Sequence, residues 1–447
     1  MNKVIKRSFI VILVVILFVV GVFGYYFSLA FNGQSWMSYP ANKHIYTNGV
    51  LTKAGAITDR NGTVLAKTED GTRVYNSNKS VRKATIHAVG DTKGFISTGM
   101  HSAYLNELCG YDAVNGVYNL SGKGNNLQLT IDSNVSVAAL NALGNNSGTV
   151  GIYNYKTGEI VCMVSTPTFD PNSSETPSGK GVYVNRLLSG VYAPGSIFKL
   201  VTALSALENI KTATTMEFKC NHGVTIAGEW LSCLGNHKTL SLDGALKYSC
   251  NAFFAQTALE LGRSDLTATA EKVGFNKSLK MDGIPCATSK YEVSNSNDID
   301  FGWSGIGQHN DLVNPYQYLC FMGGIANGGE SITPYLVKKI TDHNGRTIKK
   351  ASIKTTKMMS DQNATILTNM MRNNVKLNYG DSRFTGLEVC GKTGTAEVGD
   401  KSTPHSWFVG FCKNEKNPYA FTVIVENAGA GNGAATRIAA AVLKKLK

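Results

Sequence analysis

Internal repeats and low-complexity tracts are absent from the 447 residues, which excludes solenoid, collagen-like and compositionally biased chains. Charge is scarce. Asp, Glu, Lys and Arg together make up 17% of the chain against 43% hydrophobic residues, which excludes a disordered polyelectrolyte and fits a globular protein with an added apolar segment. Acidic charge is the scarcer sign, with 31 Asp and Glu against 44 Lys and Arg, a formal net charge of +13. An even cysteine count is lacking too: nine cysteines cannot all pair within one chain. Cys162, Cys320 and Cys412 sit in or beside apolar runs and read as small buried hydrophobes. The length allows two or three domains with at least one large core.

A single long apolar run is present, and it stands at the start. Lys3, Lys6 and Arg7 precede an uncharged stretch from Ser8 to Phe31, and the next charge is Lys43. As a helix this stretch would be roughly 36 Å long, enough to cross a hydrocarbon core of about 30 Å. Basic residues before it and none just after place the N-terminus in the cytoplasm and the remainder outside. A cleaved signal peptide is the alternative, with Ser28 and Ala30 as small residues near a cleavage point. The run exceeds a signal core of about 7–15 residues, which favours an uncleaved, single-pass membrane anchor. Export argues against nucleic acid as the partner of the basic surplus. A solvated surface facing an anionic membrane and wall accounts for it.

After the anchor, Asn32–Asn48 is polar and reads as a linker. From Leu51 to Leu127 short apolar runs alternate with turn residues, and Asp59-Arg60-Asn61-Gly62 predicts a hairpin between Ala56-Ile57 and Val64–Ala66. A different rhythm starts near Leu127. A helix is predicted over Val135–Leu143, then a β-hairpin from Thr149–Asn154 and Ile160–Val164 around the turn Tyr155–Glu159. A second strand pair, Trp407–Cys412 and Ala420–Val425, lies near the C-terminus. A final helix from Ala434 to Lys447 has an apolar face at Ile438, Val442 and Leu443 and a basic end. Hairpins enclosing a mostly helical middle imply an antiparallel sheet with a helical lobe.

The chemistry concentrates in three short motifs. Ala193-Pro194-Gly195-Ser196-Ile197-Phe198-Lys199 opens a buried helix and places Lys199 three residues after Ser196, on the same face. A serine hydroxyl is a poor nucleophile until a neighbouring base takes its proton, and an amine among Ile197, Phe198 and Leu200 has its charged form disfavoured. Ser-x-x-Lys alone is a weak signal: it recurs at Ser80–Lys83, read as surface. Lys-Thr-Gly likewise recurs at Lys156–Gly158, read as a hairpin turn. The ordered set carries the weight, because Ser196/Lys199 is followed by Ser249-Cys250-Asn251 and then Lys392-Thr393-Gly394-Thr395.

That order resembles the signature of penicillin-binding proteins and β-lactamases. Asn185-Arg186, Ser165–Asn172, Gly305-Ile306-Gly307-Gln308 and Ala326-Asn327-Gly328-Gly329 are similar to the flanks found in class B penicillin-binding proteins. The similarity spans roughly residues 127 to 447, and Asp59–Gly62 resembles the start of the family's N-terminal module. The resemblance implies an α/β (α+β) fold, a central antiparallel sheet flanked by helices and a helical lobe. Residues 1–31 would be the cytoplasmic tip and anchor, 32–126 a non-catalytic, dimerisation-like module, and 127–447 the transpeptidase domain.

The resemblance also implies roles. Ser196 attacks the penultimate D-Ala carbonyl of a peptidoglycan stem peptide and Lys199 accepts its proton. Ser249 relays a proton to the leaving D-Ala with Lys392 nearby, and Asn251 holds the substrate amide. Thr393 and Thr395, flanking Gly394, bind the terminal carboxylate. Backbone N–H groups of Ser196 and Thr395 form the oxyanion hole. The chemistry requires no cofactor. Implied partners are stem peptides, the lipid-linked precursor, β-lactam antibiotics and a separate glycan polymerase, since no room precedes the transpeptidase region for a glycosyltransferase.

Cys220, Cys233, His237 and Cys250 lead into the second motif with the spacing C-x12-C-x3-H-x12-C. Three thiolates and an imidazole suit tetrahedral structural zinc, and the resemblance adds that some class B relatives carry metal ligands in this loop. The other readings are a Cys220–Cys233 disulfide with Cys250 merely buried, or unpartnered thiols. His222 is an alternative nitrogen ligand. His309 and His405 read as rim or core packing.

Two rival functions remain at this level. A D,D-carboxypeptidase or β-lactamase shares the acyl-enzyme, but no separate class A-type glutamate motif is present, and the anchor and N-terminal region favour a wall enzyme. A non-catalytic β-lactam sensor or scaffold is the other rival. Seven cytoplasmic residues leave no space for a signalling domain, and all motif residues are retained.

Overall fold

The computed structural model describes residues 2–37, 46–47, 50–51, 53–112, 117–118, 123–397, 403–429 and 433–446. The first helix, Asn2–Met37, contains the stretch Lys3–Leu29, long and apolar enough to cross a membrane, and its apolar window is not buried in the protein. The linker expected at Asn32–Asn48 begins within this helix, which continues to Met37, and the rest falls mostly on residues 38–45 and 48, outside the described residues.

A five-stranded antiparallel sheet forms the centre, in the spatial order Ile160–Thr166, Gly148–Asn154, Tyr419–Val425, His405–Cys412, Val389–Ala396. Its strands read as continuous apolar runs because both faces are covered. Val150, Ile152, Phe408, Phe421 and Val423 enter one core with the helices Ser133–Leu143 and Ala434–Leu443. Tyr153, Trp407, Val409 and Ile424 alternate with them and enter the larger core on the other side, where Pro315–Ala326 packs. The predicted helix, both hairpins and the C-terminal helix are all present. The helix begins earlier than its apolar pattern, because Asp132 caps it by accepting the N–H groups of Asn134 at 2.8 Å and Val135 at 3.2 Å.

The helical lobe is built around Lys199–Asn209, which packs on Asn251–Lys272, with Asp298–Ser304 alongside. A second, six-stranded sheet has the order Thr347–Lys350, Val337–Thr341, Asn126–Leu129, Ile57–Thr58, Val64–Glu69, Thr72–Tyr75. It draws strands from both sides of residue 127, and Ile57–Thr58 runs parallel to Asn126–Leu129. The turn at Asp59–Gly62 explains part of this weave. Asp59 is fully buried, and its carboxylate accepts the N–H groups of Asn61 and Thr63 and both the N–H and the hydroxyl of Ser133. A buried carboxylate with four donors is well satisfied, and here it ties the N-terminal hairpin to the helix behind the central sheet.

The helix Pro315–Ala326 approaches the sheet through Gly323, where an added methyl would collide with the Tyr153 ring and hydroxyl. Tyr153 is itself fully buried. Gly323→Ala should therefore destabilise the protein by about 1–3 kcal/mol through overpacking. Gly228, whose added methyl meets nothing, adopts a positive φ of 89°; Gly228→Ala should lose only its backbone preference, about 1 kcal/mol. Chemical denaturation of both variants checks the contrast, and an equal small loss at both positions would contradict it.

Candidate active site

Three elements converge where the central sheet meets the helical lobe. The turn Gly195–Ile197 leads directly into the helix Lys199–Asn209. The short helix Leu242–Tyr248 ends at Ser249, and the long helix Asn251–Lys272 starts beyond Cys250. The third element is the strand Val389–Ala396, which lies at the open edge of the five-stranded sheet.

The serine turn is pressed against that strand. Gly195 has φ +54°, and an added methyl would strike the Thr395 carbonyl. Its N–H donates to the Gly307 carbonyl at 2.8 Å, so the Gly305–Gln308 segment braces the turn from behind. Trp407 Nε1 donates to the Ala193 carbonyl at 3.0 Å and the Tyr318 hydroxyl donates to the Ile197 carbonyl at 2.7 Å. Phe198, buried beneath, stacks on Tyr291 at 4.9 Å.

Lys199 is the hub. Its Nζ lies 3.0 Å from Ser196 Oγ, 2.7 Å from the Ser249 carbonyl, 3.2 Å from Ser249 Oγ and 2.6 Å from Asn251 Oδ1. Ser249 supplies both its carbonyl and its hydroxyl because its backbone is left-handed, φ 53° and ψ 43°, an uncommon conformation for a serine. Lys199 is fully buried. Burial, and after it the neighbouring Lys392 charge, brings its amine down from the ordinary lysine value to about 7. Lys392 Nζ lies 3.0 Å from Ser249 Oγ, and burial brings it down to about 7 as well. Thr393 and Thr395 alternate with Lys392 and Gly394 along the strand and are half-exposed on its other face.

All eight motif residues expected from the sequence lie on these three elements, and the hydrogen bonds join Ser196, Lys199, Ser249, Asn251 and Lys392 into one network. The duplicate motifs stand apart. Ser80 is exposed on the helix Lys79–Val89, and Lys156–Gly158 forms the hairpin turn. His309 is exposed beside Asp300, and His405 opens its strand and accepts the Asn427 N–H. One residue escaped the sequence reading. The Tyr379 hydroxyl accepts from the Thr393 hydroxyl at 3.1 Å, and nothing in the spacing of a lone tyrosine signals that contact.

The cysteine cluster closes the second motif from outside. The ligand atoms of Cys220, Cys233, His237 and Cys250 all lie within 4.8 Å of one another. Cys233 and Cys250 sulfurs are 3.8 Å apart, and His237 Nδ1 is 3.5 Å from Cys233 Sγ and 3.6 Å from Cys220 Sγ. Tetrahedral zinc with bonds of about 2.3 Å to sulfur and 2.0–2.1 Å to nitrogen has ligand-to-ligand edges of about 3.5–3.8 Å. The donor set therefore fits that ion. His222 is exposed and outside the group. All nine cysteines are free, so the Cys220–Cys233 disulfide is not formed. Cys233 Sγ also accepts the Asn251 N–H at 3.2 Å, which couples the loop to the second motif. The hydrogen bond from the Cys250 thiol, followed by backbone N–H groups, holds the Cys233 thiol below its ordinary range.

Comparison with known proteins matches residues 148–445 to the penicillin binding protein transpeptidase domain. The chain is 28% identical over 337 residues to the peptidoglycan D,D-transpeptidase PbpA of Mycolicibacterium smegmatis, covering 69% of this chain and 68% of the relative. Identity to the PbpA of Mycobacterium tuberculosis is also 28%, over 340 residues and 68% of each chain. The crystal structure of the Mycobacterium tuberculosis PBPA superposes with a TM-score of 0.78 at 25% identity, covering 88% of this chain and 99% of that one. Its penicillin G acyl-enzyme complex gives a TM-score of 0.76 at 26% identity, with 88% and 99% covered.

Two amines lowered by burial make stability depend on pH. Between pH 7 and the ordinary lysine value, the unfolded chain binds protons that the folded chain does not, so stability rises with pH. Each lysine contributes a slope of up to about 1.4 kcal/mol per pH unit. Lys392→Met should flatten the dependence between pH 7.5 and 9.5 by roughly 1 kcal/mol per unit, measured by denaturation of the solubilised chain. Parallel slopes for variant and wild type would show that Lys392 keeps an ordinary amine.

Proposed function

The chain belongs to the penicillin-binding protein transpeptidase family, and from that premise we propose that it is a class B peptidoglycan D,D-transpeptidase working through an acyl-enzyme on Ser196. The observation that carries this reading is the contact of Ser196 Oγ with a fully buried Lys199 amine at 3.0 Å. At neutral pH an amine lowered to about 7 is partly unprotonated and able to accept a proton.

In this mechanism Ser196 Oγ attacks the carbonyl carbon of the penultimate D-Ala while its proton passes to Lys199. The tetrahedral oxyanion is held by the N–H groups of Ser196 and Thr395, an effect of roughly 2.7–4 kcal/mol per donor in comparable sites. The C–N bond then breaks, and the leaving D-Ala nitrogen takes a proton through Ser249 Oγ, which Lys392 supports from 3.0 Å. Attack by an amine of a second stem peptide on the ester carbonyl forms the crosslink and returns the proton to Ser196. Asn251 would hold the donor amide, and Thr393 and Thr395 the terminal carboxylate. The open edge of Val389–Ala396 suits an extended peptide, which can add to it as a further strand. β-Lactams would enter the same ester linkage, as they do in the relative's acyl-enzyme complex. The apolar helix Lys3–Leu29 would anchor the enzyme with its N-terminus in the cytoplasm and its cleft outside, supplied by a separate glycan polymerase. The region before residue 127 would be the non-catalytic module of this enzyme.

Cys220, Cys233, His237 and Cys250 would hold a structural zinc. Bound there, it would cross-link the loop and so fix the sulfur that accepts the Asn251 N–H.

A fluorescent penicillin should label wild type in a long-lived 1:1 adduct, and Ser196→Ala should lose the label entirely. Rapid release with hydrolysed drug would instead identify a β-lactamase. Absence of label on folded wild type would remove the catalytic reading. Metal analysis should find about one zinc per chain, lost in Cys220→Ser, and chelation should lower Tm by at least ~4 °C. A metal-free chain with unchanged Tm would dismiss the zinc.

A further inference from the structure

A cavity of about 360 Å3 lies where the six-stranded sheet meets the Lys280–Pro285 hairpin. None of its lining residues belongs to the cleft or to the cysteine cluster. Lys280, Lys339, Lys349, Lys350 and Lys354 line it, together with a single acid, Asp282. Asp282 Oδ2 accepts the N–H groups of Leu336 at 2.6 Å and Val337 at 2.8 Å, and the Lys349 charge acts on the same carboxylate, so one acid faces five lysines. Among the described residues, none of the five lysines lies within salt-bridge distance of a carboxylate, although the adjacent Lys338 pairs with Glu159 at 3.2 Å.

The sheet register sharpens the point. Lys339 and Lys350 are direct cross-strand partners. Like charges placed opposite one another on neighbouring strands are destabilising. Lysines on an edge strand ordinarily serve to block edge-to-edge association, and Lys349 and Lys350 on Thr347–Lys350 fit that use. Lys339 sits on an inner strand, however, and Lys280 and Lys354 come from separate segments. Edge protection accounts for none of those three.

We propose that this cavity binds a phosphoryl anion carrying at least two negative charges. Lysine presents a compact point charge with three donors, which suits the dispersed oxygens of a phosphoryl group. Paired recognition of a planar carboxylate is the province of arginine, and no arginine lines the cavity. On an enzyme of the wall, such an anion has two sources: a pyrophosphate-linked donor, or the glycerophosphate of a lipid or wall polymer.

Calorimetric titration of the full, detergent-solubilised chain tests this with inorganic pyrophosphate, sn-glycerol 3-phosphate and malonate. Pyrophosphate should bind at least tenfold tighter than malonate. The double variant Lys339→Gln/Lys350→Gln should weaken pyrophosphate at least tenfold without lowering Tm, since it removes a repulsive pair. The control Lys211→Gln/Lys416→Gln, on exposed residues away from the cavity, should leave binding unchanged. Glycerol phosphate within threefold of pyrophosphate would assign the glycerophosphate source, and pyrophosphate tenfold tighter would assign the pyrophosphate-linked one. Malonate binding as tightly as pyrophosphate, or the cavity variant binding like wild type, would overturn the proposal.

Discussion

The burial of the Lys199 amine is the constraint around which the rest is arranged. An ammonium loses several kcal/mol of hydration in such a place unless acceptors replace the water. Four oxygens surround Nζ within 3.2 Å, and they come from residues 196, 249 and 251. Each needs its own structural device. Ser196 needs the glycine that lets its turn touch the strand. Ser249 needs a left-handed backbone at the end of a short helix. Asn251 needs an anchor for its N–H, which is the Cys233 sulfur. Remove the amine, and these features lose their common reason.

This explains why the site was readable and where reading stopped. Chemistry that needs a serine and a lysine on one helical face leaves a three-residue spacing in the chain, so Ser196 and Lys199 were visible without a structure. The duplicates at Ser80–Lys83 and Lys156–Gly158 show that spacing alone is not enough. The polar surroundings of Ser80–Lys83 and the hairpin turn that holds Lys156–Gly158 already separated them. Tyr379 was invisible for a physical reason: its hydroxyl reaches Thr393 only through tertiary packing, and local sequence carries no trace of that. The cysteine cluster fell between these cases. Its ligand types were legible, but four side chains spread over some thirty residues meet only because Glu217–Cys220 pairs with Lys238–Ser241 around the Gly223–Ser232 hairpin.

The fold divides in the same way. Strands buried on both faces announce themselves as apolar runs, so the central hairpins and the C-terminal helix were predicted closely. The six-stranded sheet was not. Its strands are short, drawn from both sides of residue 127, and one neighbouring pair is parallel, a non-local pairing that periodicity cannot encode. Asp59 looked like an ordinary turn residue in Asp-Arg-Asn-Gly. Its burial against Ser133 makes it a clasp between segments that composition had separated.

Two lysines within reach of one serine hydroxyl pose a final problem of charge. Lys199 and Lys392 stand 3.2 Å and 3.0 Å from Ser249 Oγ. Both being ammonium would place two cations in a dry site, and the repulsion between them contributes to lowering Lys199. Both being neutral would leave the leaving group only the proton that Lys199 takes from Ser196. A hydroxyl has one proton and two lone pairs, so it bridges one neutral amine and one ammonium without frustration, donating to the first and accepting from the second. The singly protonated pair is compatible with this geometry near neutral pH, where burial brings both amines to about 7. It is also the state the proposed reaction uses: a base beside Ser196, a proton source beyond Ser249, and a hydroxyl oriented between them before any substrate arrives.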